Sequence, residues 1–243
     1  MHVSMLLAVV FIAAVARGYT GFGLSAIVIT VASYWIPAKE LVPVLILLEI
    51  TASLLFLRNI FSHTDFRAVA IIFAGSAIST PLALMLLSHL PTKITHAVIA
   101  ALTLAATVTL LLRKNLITVT NNITWLATGL IMGVFGGLGS IGGLAGMVVL
   151  MSTTIAATQA RATMILLLLI TSSYAAVLTA FNGLLTSDSL KQLPVLLIPM
   201  AAGLYLGHRL FKHYDRSLRT ATLALLAVLS GTMLLQSIYR LFG

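Results

Sequence analysis

Between residues 3 and 239 the sequence returns ten times to a run of apolar residues: 3–16, 24–36, 41–57, 67–90, 94–112, 123–138, 144–157, 162–182, 193–211 and 217–239. The runs are continuous. They do not alternate with polar residues as the strands of an outer-membrane barrel do. Only 8% of the 243 residues are charged, against roughly 25% in soluble domains. A chain with so little polar surface cannot cover itself in water. It reads as an all-α integral membrane protein whose backbone groups are satisfied within its helices.

The same composition excludes several classes. The net charge is +9, but the basic residues are spread through short loops. Anionic lipid headgroups are therefore the expected partner, not nucleic acid. There is no cysteine, so disulfide and thiol chemistry are out. No Walker-type loop is present and no cofactor is implied. Ser140 in "GLGS" faintly resembles an intramembrane protease nucleophile, but no histidine lies at mid-membrane depth to serve as its base, so an enzyme is not expected. The histidines at 2, 63, 89, 96, 208 and 213 lie mostly near loops, and His208 and His213 read as solvated loop residues without metal-site spacing. Residues 3–16 lack the basic start of a signal peptide and are followed by more membrane sequence. Residues 1–243 read as a single transmembrane domain.

Four of the ten runs are only about 13 to 16 residues long, where a spanning helix needs roughly 20. They form two consecutive pairs, joined by "RGYTGFG" (17–23) and "GGLGSIGG" (136–143). Shifting the sequence by 120 places Gly23-Leu24 on Gly143-Leu144 and "LLEITAS" (47–53) on "LLLITSS" (167–173). Pro81 and Pro199 mark the following segment of each half. The expected organisation is two repeats, 1–115 and 121–243, each with a glycine-broken pair of short helices followed by three transmembrane helices. If each half crosses an odd number of times, Arg58, Arg67, Arg113, Lys114, Arg161, Arg209, Lys212, Arg216 and Arg219 share one side, against Lys39, Lys93, Lys191 and Arg240. The even alternative splits them seven to six. The positive-inside rule favours odd, inverted halves with both termini outside.

A glycine break inside a bilayer frees backbone N–H groups, and a half-helix start attracts anions. Such starts follow Gly23 and Gly143. Arg17 can grip an oxyanion with two parallel hydrogen bonds, and Tyr19, Thr20 and Ser140 can donate more. The plainer alternatives are that the glycines serve close helix packing, that Arg17 snorkels to an interface, and that Thr51, Thr171, Ser172 and Ser173 bond back to their own helices. Arg161 reads equally as an interfacial anchor or a gate. Glu49 is the one acid inside a long apolar run. It is a proton carrier or a structural hydrogen-bonding group.

"RGYTGFGLSAI" followed by "IPAKELVPVLILLE" resembles the first repeat of the TauE/SafE sulfite exporter family, also called TSUP. "GVFGGLGSIGGLAGMVVLMS" with "QARAT" is similar to its second signature, although relatives often carry a proline where this chain reads "GGLAG". "AAGLYLGHRLFKHYDRSLRTATLALLAVLSG" is similar to its C-terminal helix pair. The resemblance implies a secondary transporter of a small organosulfur anion, such as sulfite, a sulfonate or thiosulfate, in the cytoplasmic membrane. Arg17, Gly18, Tyr19, Thr20, Gly21, Phe22, Gly23, Gly139, Ser140, Gly142, Gly143, Thr51, Thr171, Ser173 and Arg161 are the expected substrate-binding residues, with Glu49 for proton coupling. The expected partners are the anion and lipid, with homo-oligomers left open. A passive anion channel would need pore-lining charge rings, and none is visible. A non-transporting scaffold would leave Arg17 and Glu49 without a purpose at depth.

Overall fold

A computed structural model describes residues 2–112, 121–153, 155–185 and 187–213, with isolated positions between 227 and 235. The tenth expected segment, 217–239, lies largely outside the described residues, as do Arg113, Lys114, Arg216, Arg219 and Arg240. The described regular structure is helical: α1 (His2–Thr20), α2 (Leu24–Ala32), α3 (Ala38–Phe56), α4 (Phe66–His89), α5 (Thr92–Leu112), α6 (Asn122–Gly139), α7 (Gly142–Met151), α8 (Ala157–Phe181) and α9 (Ser187–His213). Five of these are long and apolar enough to cross a membrane.

The short pairs are unequal, which the sequence did not indicate. α1 and α6 run for 19 and 18 residues, while α2 and α7 run for only 9 and 10. Hydropathy breaks the first run at Arg17, but the helix continues to Thr20 because a partner elsewhere neutralises that charge. At 1.5 Å per residue α2 is about 14 Å long, half a membrane. The second pair is a hairpin. Gly142 lies against Gly136 and the Met132 carbonyl, and Gly146 against the Met132 side chain, so α7 folds back along α6.

Small residues bring distant helices together. Gly129, Gly133 and Gly137, four apart on α6, meet Ile72, Gly75, Ser76, Ser79 and Ala83 on α4. A Cβ at Gly129 would strike the Ile72 carbonyl. The contact points rise together in both helices, so α4 and α6 run parallel. α1 and α9 repeat the device, with Ala14, Val15 and Gly18 against Gly203 and Gly207, also parallel. These are the two most extensive helix pairings among the described residues. Lipid cannot drive them by the hydrophobic effect, so close backbone approach does. The Ser79 hydroxyl adds a 2.8 Å bond to the Leu130 carbonyl across the first pair.

α3 and α8 pair in the middle and run in opposite directions. Phe56, at the end of α3, lies under Arg161 in the second turn of α8, while Ile46 and Glu49 share a cavity wall with Leu168 and Ser172. Pro81 removes the N–H that would bond the Ala77 carbonyl in α4. The Tyr174 hydroxyl of α8 donates to that carbonyl at 3.2 Å. Large apolar side chains such as Ile78, Leu82 and Met85 of α4 and Ile198 of α9 remain exposed, as lipid-facing positions should.

Candidate functional site

Arg17 does not snorkel: it is 1% exposed. Glu49, near the middle of α3, neutralises it, with Arg17 Nη1 and Glu49 Oε2 2.7 Å apart. Nη2 donates to Ser53 Oγ at 2.8 Å, one turn further along α3. The other carboxylate oxygen accepts from the Ser25 hydroxyl at 2.8 Å and the Ser25 N–H at 3.3 Å. Ser25 is the second residue of α2, and Gly23 caps that helix at φ 97°. The start of the short helix therefore already holds an anion, and the anion is the protein's own carboxylate. The Nη1–Oε2 contact is a charge pair without hydrogen-bond alignment, and Arg17 Nε has no hydrogen-bond partner among the described residues.

Glu49 also forms one wall of a cavity of about 30 Å³. Ser76 and Thr80 of α4, Ser140 and Gly142 of the second turn, and Thr171 and Ser172 of α8 complete its polar lining. Glu49, Ser76 and Thr80 each sit close to the midpoint of their helix. The cavity is thus at mid-depth, hydroxyl-rich and large enough for about two waters.

A family model described as sulfite exporter TauE/SafE matches residues 6–233. The chain belongs to the TauE/SafE sulfite exporter family. No curated protein and no solved structure matches it. TauE/SafE proteins are membrane transporters of sulfur anions, and the five long apolar helices make this one a multi-pass membrane protein.

The structure divides the residues expected in the TauE/SafE signatures. Ser140, Gly142 and Thr171 line the cavity with Glu49. Arg17 stands behind Glu49, outside that lining. Gly18 has no room for a Cβ, which would lie 2.5 Å from the Leu204 carbonyl. It is a packing glycine against α9. The Thr20 hydroxyl lies 2.8 Å from the Ala16 carbonyl and 2.7 Å from that of Phe22, tying α1 into its turn. Tyr19 and Phe22 are buried in the core. Gly139 faces Ile99, and Gly143 faces Leu168. Thr51, Thr171 and Ser173 donate to carbonyls one turn back, at 2.9, 2.7 and 2.7 Å. Ser173 is exposed, and its neighbour Ser172 takes the place on the cavity wall. Sequence reasoning missed Ser25, Ser53, Ser76 and Thr80. Their one signal is spacing: Ser53 falls four residues after Glu49, and Thr80 four after Ser76, on the same helix faces.

Arg161 belongs to a second space. Its Nη2 donates to the Gly18 carbonyl at 2.8 Å, and its stem lies over Gly21, where a Cβ would come within 2.7 Å of it. Its guanidinium carbon is 5.8 Å from the centre of the Phe56 ring. His208 is no loop residue. It sits on α9 with its ring centre 5.5 Å from that of Phe56. The apolar run 193–211 already spans this position, so its place on a helix was legible in the segment pattern even though the histidine itself read as a loop residue. Among the described residues, no group of three or more histidine, cysteine or acidic side chains is placed to hold a metal.

Proposed function

We propose that the protein is a secondary transporter that moves a small organosulfur anion, such as sulfite, a sulfonate or thiosulfate, across the cytoplasmic membrane. Its central switch is the Arg17–Glu49–Ser25 cluster. The observation that carries this reading is the position of the Glu49 carboxylate. It occupies the places a substrate oxyanion would seek: beside a buried guanidinium, on the N–H and hydroxyl at a half-helix start, and in the wall of a mid-depth cavity. A proton on Glu49 removes that competitor. Arg17 and the start of α2 then accept the anion, with Ser140, Thr171 and the start of α7 opposite. Loss of the proton restores the pair and expels the anion, so one proton travels with one anion.

The helix directions support an inverted repeat as the scaffold. α1 packs on α9 and α4 on α6, both parallel, while α3 and α8, which correspond under the 120-residue shift, run antiparallel. A two-fold axis between α3 and α8 in the membrane plane relates these pairs. The cavity is smaller than a sulfonate, so transport requires the halves to part on one side and then the other.

The test is transport by purified protein in proteoliposomes, with sulfite, thiosulfate and ethanesulfonate. Glu49→Gln is expected to keep binding within a few fold while losing acceleration by a pH gradient. Arg17→Lys is expected to weaken binding by roughly ten- to a hundredfold, the value of a charge-assisted contact. A parent protein that moves none of the three anions overturns the transport reading. A Glu49→Gln variant with unchanged pH dependence returns Glu49 to a structural role.

A further inference from the structure

A cleft of about 170 Å³ lies beyond the turn after α1, bounded by Phe56, Ile60, His63, Arg161, Ile165 and His208. It differs from the mid-depth cavity in size and in charge. It is more than five times larger. Its charged and titratable lining groups are one guanidinium and two imidazoles, with no carboxylate. The rest of its wall is mostly carbon. Engineered cavities of about 150 Å³ hold a benzene ring, so this one has room for about six or seven heavy atoms.

We propose that this cleft is a second binding site, for an organic anion with a short carbon chain. Its charged head meets the Arg161 guanidinium and the His63 and His208 imidazoles. Its carbon chain lies on Phe56, Ile60 and Ile165. The Arg161 guanidinium is held in place from two directions, by the Gly18 carbonyl and by the Phe56 ring, so its charge is fixed at the mouth of the turn. The groups facing it are the backbone end of α1, Phe56 from α3, His63 from the turn before α4, and His208 from α9. Arg17 is one residue from the carbonyl that holds it, on the inner side of the turn. An anion in the cleft therefore waits next to the switch, separated from it by the glycine turn. The apolar wall comes with room that the 30 Å³ inner cavity lacks: an alkanesulfonate of three carbons gains carbon contact that sulfite and thiosulfate do not. The inference rests on the reading that the protein moves small anions, and it names the substrate class as organic before inorganic.

Because the chain has no native cysteine, a single cysteine reports on the cleft directly. Thr158 lines it and is exposed. In full-length Thr158→Cys protein in phosphatidylcholine nanodiscs, saturating propane-1-sulfonate is expected to slow methanethiosulfonate labelling at least fivefold, and sulfite less than twofold. The same protection is expected in Thr158→Cys/Glu49→Gln, where the inner switch is disabled. That separates failure of the cleft from failure of the central site. Ala162→Trp, which fills the cleft, is expected to raise the half-saturating propane-1-sulfonate concentration at least tenfold and that of sulfite less than threefold. Equal protection by sulfite and propane-1-sulfonate, or none by either, overturns the proposal. So does protection by added phosphatidylglycerol that propane-1-sulfonate cannot increase, which would make the cleft a lipid headgroup site.

Discussion

At the scale of single residues, the Arg17–Glu49 pair decides what the centre of this protein can tolerate. Both side chains are buried and each is the other's charge partner. Removing one partner of a buried pair leaves an uncompensated charge and costs about 3–5 kcal/mol, whereas replacing both with apolar groups of similar volume is often neutral. Arg17→Met and Glu49→Leu are each expected to lower the melting temperature in detergent sharply, and the double variant to recover most of the loss while transporting nothing. A double variant as unstable as either single one would show that Ser53 and Ser25 hold the cluster together without the charges. Arg17 and Glu49 were both legible as the two charges a bilayer should not contain. Their pairing was not, because residues 17 and 49 are joined only by the way α1, α2 and α3 fold back on one another. The hydroxyls of Ser25, Ser53, Ser76 and Thr80 were silent for a related reason. Serine and threonine in apolar helices usually bond to their own backbone, as Thr51 does and as Thr80 and Thr171 do even on the cavity wall, so sequence alone does not mark the ones that face inward.

At the scale of elements, the glycines separate into two kinds. Gly23 needs its positive φ of 97°, yet a Cβ there meets nothing within 4 Å. Gly129 has ordinary helical geometry, yet a Cβ meets the Ile72 backbone. Gly23→Ala is then a conformational penalty of about 1–2 kcal/mol. Gly129→Leu forces apart α4 and α6, which carry Ser76, Thr80 and Ser140 to the cavity. Thermal denaturation is expected to show a several-fold larger loss for Gly129→Leu than for Gly23→Ala, and binding to survive only the latter. The sequence reading located both glycine clusters and nine of the helices, with ends up to six residues off. It divided the pairs too evenly, because a hydropathy window stops at a charge whether or not the helix does.

At the scale of the whole molecule, the described basic residues other than the buried Arg17 sort to two ends. Arg58, Arg67, Arg161 and Arg209 lie at the end where α3 and α9 finish and α4, α6 and α8 start. Lys39, Lys93 and Lys191 lie at the other. The positive-inside rule assigns the arginine end to the cytoplasm. In intact cells a membrane-impermeant thiol reagent is expected to label Lys93→Cys and to reach Arg67→Cys only after permeabilisation. The reverse pattern would overturn the orientation, and with it the side from which the cleft beside Arg161 fills.

The parallel contact of α1 with α9 has a consequence for how the chain is made. Gly18 leaves the ribosome about 190 residues before Gly207, the residue it packs against. At roughly 5–20 residues per second that is about 10–40 s. Throughout that interval the small-residue face of the first helix lies against lipid or insertion machinery, not protein. Biogenesis therefore includes a late docking step that closes α1 against α9. A chain stopped before α9 would leave Gly18 and Ala14 uncovered, a feature by which quality control can distinguish an unfinished transporter from a finished one.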